Sequence, residues 1–339
     1  MASLDTSVAA DGGGALVEMR DLKTWFPIRR GVLARTVGHV RAVDGVTLDV
    51  RRGETLGLVG ESGCGKTTLG RTLVGLERPA YGEIRFRGRA VSALSGAERQ
   101  ALRRDIQMVF QDPYSSLNPR MTVLDIVTEG LVVHGLLRGD PEAEAERLLG
   151  EVGLPADAMF RYPFEFSGGQ RQRISLARAM SLRPAFVVCD EAVSALDVSV
   201  QAQVLNLLMD LREAHSLSYL FISHDLGVVK HVSDRVAVMY LGHIVELGAT
   251  DDVMQRPRHP YTEALLAAVP VPGRDRRPRI VLKGETPSPS NPPPGCPFHP
   301  RCPKAFDRCP REFPRLRRAG GAEVSCHLYE EGPSPSLPG

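Results

Sequence analysis

Thr55-Leu56-Gly57-Leu58-Val59-Gly60-Glu61-Ser62-Gly63-Cys64-Gly65-Lys66-Thr67-Thr68-Leu69 joins a short apolar run, a glycine-punctuated turn and the start of an amphipathic stretch. Residues 60–67 fit the pattern GxxxxGK[ST], with the strand-like TLGLV before it and the helix-compatible TTLGRTLVGL after it. Glycines let backbone N–H groups turn toward an anion, and the positive end of the following helix adds to the attraction. Such a loop suits the β- and γ-phosphates of ATP. Lys66 neutralises phosphate charge and the Thr67 hydroxyl is a ligand for Mg²⁺. Gly60, Glu61, Ser62, Gly63, Cys64, Gly65, Lys66, Thr67 and Thr68 are therefore the candidate ATP-binding residues. A glycine-rich turn without a ligand is the bland alternative, and the flanking strand and helix argue against it. Cys64 reads as a small loop residue.

Outward from this loop, apolar runs recur at IQMVF (106–110), AFVVCD (185–190), YLFIS (219–223) and RVAVMYLG (235–242). Buried on both faces, they predict an α/β fold with a helix-covered parallel sheet. PEAEAERLLGEVG (141–153) reads as a helix with Pro141 in its first turn. The expected organisation is a disordered tail over 1–14, a nucleotide-binding domain over 15–250, an extension over 251–330 and a second disordered tail over 331–339. Within the extension, 270–295 is rich in Pro, Arg and Ser, and GETPSPSNPPPG (284–295) can form neither a regular helix nor a central strand.

The 42 basic and 40 acidic residues leave a net charge of +2, which gives no pull toward nucleic acid. No run approaches the roughly 18 apolar residues of a membrane helix. The first 14 residues have neither the basic start nor the apolar core of a signal peptide. A cytosolic protein is expected, with membrane attachment only through partners.

AFVVCD ends in Asp190, followed at once by Glu191. Asp190 suits the Mg²⁺ shell and Glu191 the polarisation of a water that attacks the γ-phosphate; two acids capping the next helix is the plainer explanation. Ser167-Gly168-Gly169-Gln170 opens the run RQRISLARAM and exposes backbone donors at a helix start, a second anion site. A second donor set beside a phosphate loop makes sense if it approaches from another subunit.

SGGQ before an R-Q-R helix resembles the signature motif of ABC ATPases, with Phe166 where that family usually has Leu. Other family motifs follow in order. Gln111 in VFQDP resembles the Q-loop glutamine, implying contact with Mg²⁺ or the lytic water. Ser194-Ala195-Leu196-Asp197 resembles the D-loop of the dimer interface, and His224 in ISHDL the switch histidine on the γ-phosphate. The resemblance thus implies Glu191, His224 and Gln111 as the catalytic set and Thr67, Gln111 and Asp190 as Mg²⁺ ligands. It implies a RecA-like core with antiparallel β and α-helical subdomains. Trp25 or Phe26 is the candidate for stacking on adenine, although residues 27–40 read as an insertion between them and the strand leading to the phosphate loop; either could equally be core.

DPYSSLNPRMTV (112–123), RAVDGVTLDVRRGE (41–54), RHPYTEALLAAVP (258–270) and GETPSPSNPPPGCPFHPRCP (284–303) are similar to the oligopeptide/dipeptide importer branch. RRGVLARTVGHVRAVDGV (29–46) resembles its F-type ATPase subunit. The likeness implies a D-type sister ATPase, two transmembrane permease subunits, an extracytoplasmic solute-binding protein and a peripheral place on the cytoplasmic face of the membrane. It also implies two ATP molecules between head-to-tail ATPases, each phosphate loop facing its partner's signature. Residues 112–122 are the candidate surface for the permease.

Cys296, Cys302, Cys309 and Cys326 crowd a segment too small for its own core, which calls for a metal or a host surface. Their spacing fits neither C-x2-C zinc knuckles nor the common ferredoxin runs. The tail resembles that of peptide-importer ATPases with [4Fe–4S] clusters, and a cluster on these four cysteines is the expectation. Zn²⁺ helped by His299 or His327, and reduced thiols buried without metal, are the alternatives.

Overall fold

The computed structural model describes residues 14–31, 34–268, 282 and 284–330. The expected tails, apart from Gly14, lie outside the described residues, as do 270–281 and 283 of the Pro/Arg/Ser-rich segment.

An eight-stranded sheet runs in the order Arg317–Ala319, Ala322–Val324, His243–Ala249, Arg235–Tyr240, Thr55–Val59, Ser218–Ile222, Phe186–Asp190, Ile106–Val109. The last five are parallel to one another, and each is one of the apolar runs picked out in the sequence. Side chains alternate across a strand. Phe186 and Val188 accordingly face one core, while Val187 and Cys189 face the other. Burial pushes the Cys189 thiol up to about 12, and the residue is an inert part of this core.

A four-stranded antiparallel sheet covers one side, in the order Arg35–Arg51, Ala15–Arg30, Tyr81–Phe86, Arg89–Ala90. Within the stretch read as an insertion, residues 27–30 and 35–40 prolong the first two strands, with Pro27 opposite His39 and Ile28 opposite Gly38. On the other core the helices Val123–Val133, Pro141–Glu151 and Gly168–Met180 pack together. Pro141 stands at the first helical position with Asp140 as cap, because its missing N–H has no intrahelical use there.

The extension has a host surface. Ala322–Val324 pairs antiparallel with His243–Ala249 and so prolongs the main sheet. Phe298 is 1% exposed, its ring 5.2 Å from Tyr240 and 5.4 Å from Tyr261. Burying a side chain of this kind contributes about 1.5–3 kcal/mol. Between 284 and 295 the chain forms no helix or strand, as its prolines dictate. Among the described residues no helix is long and apolar enough to cross a membrane.

Candidate functional site

The phosphate loop sits where the central strand Thr55–Val59 meets the helix Lys66–Leu73. Gly65 caps that helix at φ +109, where an added Cβ would lie 2.0 Å from the Ala42 carbonyl oxygen. Only glycine fits. Lys66 is buried, and its Nζ donates to the carbonyl oxygens of Gly60 (2.8 Å) and Glu61 (3.0 Å). Those bonds fold the ammonium over the loop. Together Ser62, Gly63, Gly65, Lys66, Thr67, Thr68, Gln111 and Glu191 line a cleft of about 220 Å³, with Val40, Ala42 and Pro289 as its apolar wall.

Strand ends place the acidic pair. Asp190 closes Phe186–Asp190, is 3% exposed and accepts a hydrogen bond from the Thr67 hydroxyl at 2.9 Å. Burial, joined by the neighbouring Glu191 charge, pushes its carboxyl up against the opposing effect of Thr67. A buried carboxyl in that condition with a hydroxyl beside it is a set of oxygens that a divalent cation would satisfy, so the donors fit Mg²⁺.

Glu191 follows with φ +47, a left-handed backbone uncommon for a non-glycine residue, held by its N–H to the Ile222 carbonyl at 3.0 Å. Its Oε2 accepts from Gln111 Nε2 at 2.8 Å and lies 3.5 Å from His224 Nδ1. Gln111, 80 residues before Glu191, and His224, from the end of a neighbouring strand, thus meet at one carboxylate oxygen.

The 167–170 turn begins the helix Gly168–Met180, and Ser167 and Gln170 form a reciprocal cap of 3.3 and 3.0 Å. A Cβ on Gly169 would fall 2.2 Å from Val200 Cγ1, and one on Gly168 would touch Leu196 at 3.5 Å. This close approach seats the turn beside residues 194–197. There Ser194 bonds back to the Glu191 carbonyl (2.9 Å from Oγ), Ala195 is exposed, and Asp197 caps the helix Val198–His215.

Neither Trp25 nor Phe26 lines the cleft. Trp25 packs edge-on against Tyr81 at 5.3 Å, with the Arg41 guanidinium 5.1 Å from its ring. Pro289, which the sequence offered only as part of a proline-rich arm, lines the cleft, and Arg41 N–H donates to its carbonyl oxygen at 3.0 Å. No motif marks that contact.

The four tail cysteines carry no disulfide, and all four lie near enough for Cys326 to feel the charges of the other three. Burial first, then those neighbours, pushes Cys326 up to about 12. Yet among the described residues no three His, Cys, Asp or Glu side chains could hold a metal ion. A tetrahedral zinc with Zn–S near 2.3 Å needs sulfurs about 3.8 Å apart. As placed, the described side chains form no arranged site for either the expected iron–sulfur cluster or the alternative zinc, and only the shared neighbourhood of the four thiols speaks for a metal. His299 Nδ1 is engaged with the Cys296 carbonyl and His327 with Glu330 and the Glu312 carbonyl.

Residues 43–194 match the ABC transporter family, and residues 245–309 match the C-terminal region of oligopeptide/dipeptide transporters. The chain is 53% identical to the oligopeptide transport ATP-binding protein AppF of Bacillus subtilis, over 93% of this chain and 97% of that protein. It is 48% identical to the dipeptide transport ATP-binding protein DppF of Escherichia coli, over 94% and 96%. The dimeric ATP-binding cassette MJ0796, in a post-hydrolysis state bound to ADP and Pi, superposes with a TM-score of 0.60 at 25% identity, covering 69% of this chain and 98% of that one. The fold is the α/β ABC-ATPase fold with its RecA-like core. Half-identity over nearly the whole length, on top of a phosphate loop seated at the switch from strand to helix, decides the family: the chain belongs to the ATP-hydrolysing subunits of oligopeptide/dipeptide ABC importers, alongside AppF, DppF and OppF.

Proposed function

We propose that this chain powers uptake of peptides through partner membrane subunits, binding ATP in the cleft over residues 60–68. The observation that carries the reading is the meeting of Gln111, Glu191 and His224 beside Lys66, Thr67 and Asp190. Backbone N–H groups of the loop and Lys66 hold the triphosphate. Thr67, Asp190 and Gln111 are the residues for Mg²⁺, which when bound offsets charge on the phosphate oxygens. Glu191 takes up the polarisation of the attacking water, while Gln111 and His224 fix the direction of its carboxylate.

Ser167, Gly168, Gly169 and Gln170 serve the ATP of a partner ATPase, a D-type sister. Support comes from their contact with the 194–200 segment, so that one approaching surface meets both. Hydrolysis then replaces attraction across two buried ATP molecules with release, and the permease subunits change state with the ATPases.

Residues 112–122 are the docking surface for those subunits. Tyr114 is 63% exposed with Arg171 3.9 Å from its ring, and Phe164, 66% exposed, stacks on Tyr162 nearby in sequence. Exposed aromatics of this kind are common anchors in interfaces. The chain's place is then peripheral, on the cytoplasmic face of the membrane, with an extracytoplasmic solute-binding protein delivering the peptide. The relatives' names speak of oligopeptides and dipeptides. In proteoliposomes holding the permease pair and both ATPases, peptide-loaded binding protein is expected to stimulate ATP hydrolysis. Tyr114→Asp should cut peptide uptake about tenfold and leave MgATP affinity within about twofold. Hydrolysis indifferent to peptide removes the importer reading; undiminished uptake by the variant removes the docking surface.

The iron–sulfur proposal stands on donor chemistry, four thiols in one partly buried neighbourhood, and no step of transport passes through it. Anaerobically purified protein is expected to contain iron and acid-labile sulfide. Protein with one zinc or with no metal overturns the cluster.

A further inference from the structure

Glu61 occupies the second position of the phosphate loop, where a carboxylate is electrostatically out of place. A triphosphate brings several negative charges to the same loop, and like charges at short range repel strongly in a partly dehydrated site. Two groups from the extension answer it. Arg301 Nη1 and Nη2 donate to the two Glu61 carboxylate oxygens at 2.8 and 3.1 Å, a forked pair, and the Thr286 hydroxyl donates to Oε2 at 2.9 Å. The Glu61 N–H in turn donates to the Tyr261 hydroxyl at 2.8 Å. The Arg301 side chain is 9% exposed, so the charge is held in place by its surroundings. Pro289, on the same arm, walls the ATP cleft.

We infer that Arg301 is a positioning residue of the nucleotide site: from the far end of the chain it neutralises Glu61 and fixes the phosphate loop for the incoming triphosphate. The inference rests on the ATP-site reading above. It makes the extension a part of the nucleotide site and a controller of ATP affinity.

The argument from charge separates this role from simple anchorage. Removing one member of a partly buried ion pair leaves the other uncompensated, whereas removing both leaves no charge behind. In the full-length chain, titrated with MgATP, Arg301→Gln is expected to weaken binding about tenfold. Arg301→Lys should recover most of that loss, to within about threefold of the native chain. The double variant Glu61→Gln with Arg301→Gln should bind at least about threefold more tightly than Arg301→Gln alone, because its carboxylate no longer opposes the phosphates. In the assembled importer, Arg301→Gln should raise KM for ATP with kcat within about twofold, the split expected when only binding is touched. A double variant as weak as Arg301→Gln alone overturns the inference, as does unchanged affinity in Arg301→Gln. If the native chain itself fails to bind MgATP, it is the ATP-site reading that falls.

Discussion

Replacing Glu191 by Gln leaves ATP bound and stops its turnover. The amide keeps the size of the carboxylate and an oxygen able to accept from Gln111 Nε2, which now donates at 2.8 Å. The left-handed backbone at this position is held by the N–H bond to Ile222, and that bond does not involve the side chain. The loop residues that carry the phosphates are untouched. What disappears is a base able to polarise water, worth on the order of 10²–10⁴ in rate. The expected outcome is hydrolysis reduced by about 10²- to 10³-fold in the assembled complex, with MgATP affinity within about twofold and ATP-dependent dimers that persist on a sizing column. A variant hydrolysing at the native rate takes Glu191 out of its role.

Lys66→Ala acts one step earlier, on binding. The Nζ is buried and bonded to two loop carbonyls, so its loss removes the positive charge at the phosphates and also the brace across the loop. Charge-assisted bonds contribute about 1.5–3 kcal/mol each, and losing that interaction with the phosphates corresponds to roughly a hundredfold weaker binding. A fluorescent ATP analogue titrated into the full chain measures it directly. Unchanged affinity would refute the assignment of residues 60–68 to the triphosphate.

Much of the sheet was legible because its parallel strands are buried on both faces, which turns them into unbroken apolar runs such as AFVVC and YLFI. The phosphate loop was legible for another reason: its glycines and lysine must be adjacent in sequence to fold around one anion. Gln111 and His224 could be named only by resemblance, since nothing local tells a glutamine after one strand and a histidine after another that they share a carboxylate. The pairing of residues 27–30 with 35–40 was not legible as strand. Bulges shift the register between the first two strands repeatedly, and the period-two pattern that marks a regular pair is lost there. The packing of Trp25 against Tyr81, and the proline from the extension at the cleft, left no trace in the sequence. The pair of Glu61 and Arg301, 240 residues apart, leaves no periodic or spaced trace in either segment. Long-range ion pairs become visible only when the fold brings their partners together.

That pairing sets an order on biogenesis. Synthesis delivers the phosphate loop 240 residues before the arginine that steadies it, so through that interval the nascent chain carries Glu61 without its counter-ion. Chains cut short by premature termination before codon 301 would emerge with a recognisable loop and a weakened hold on ATP.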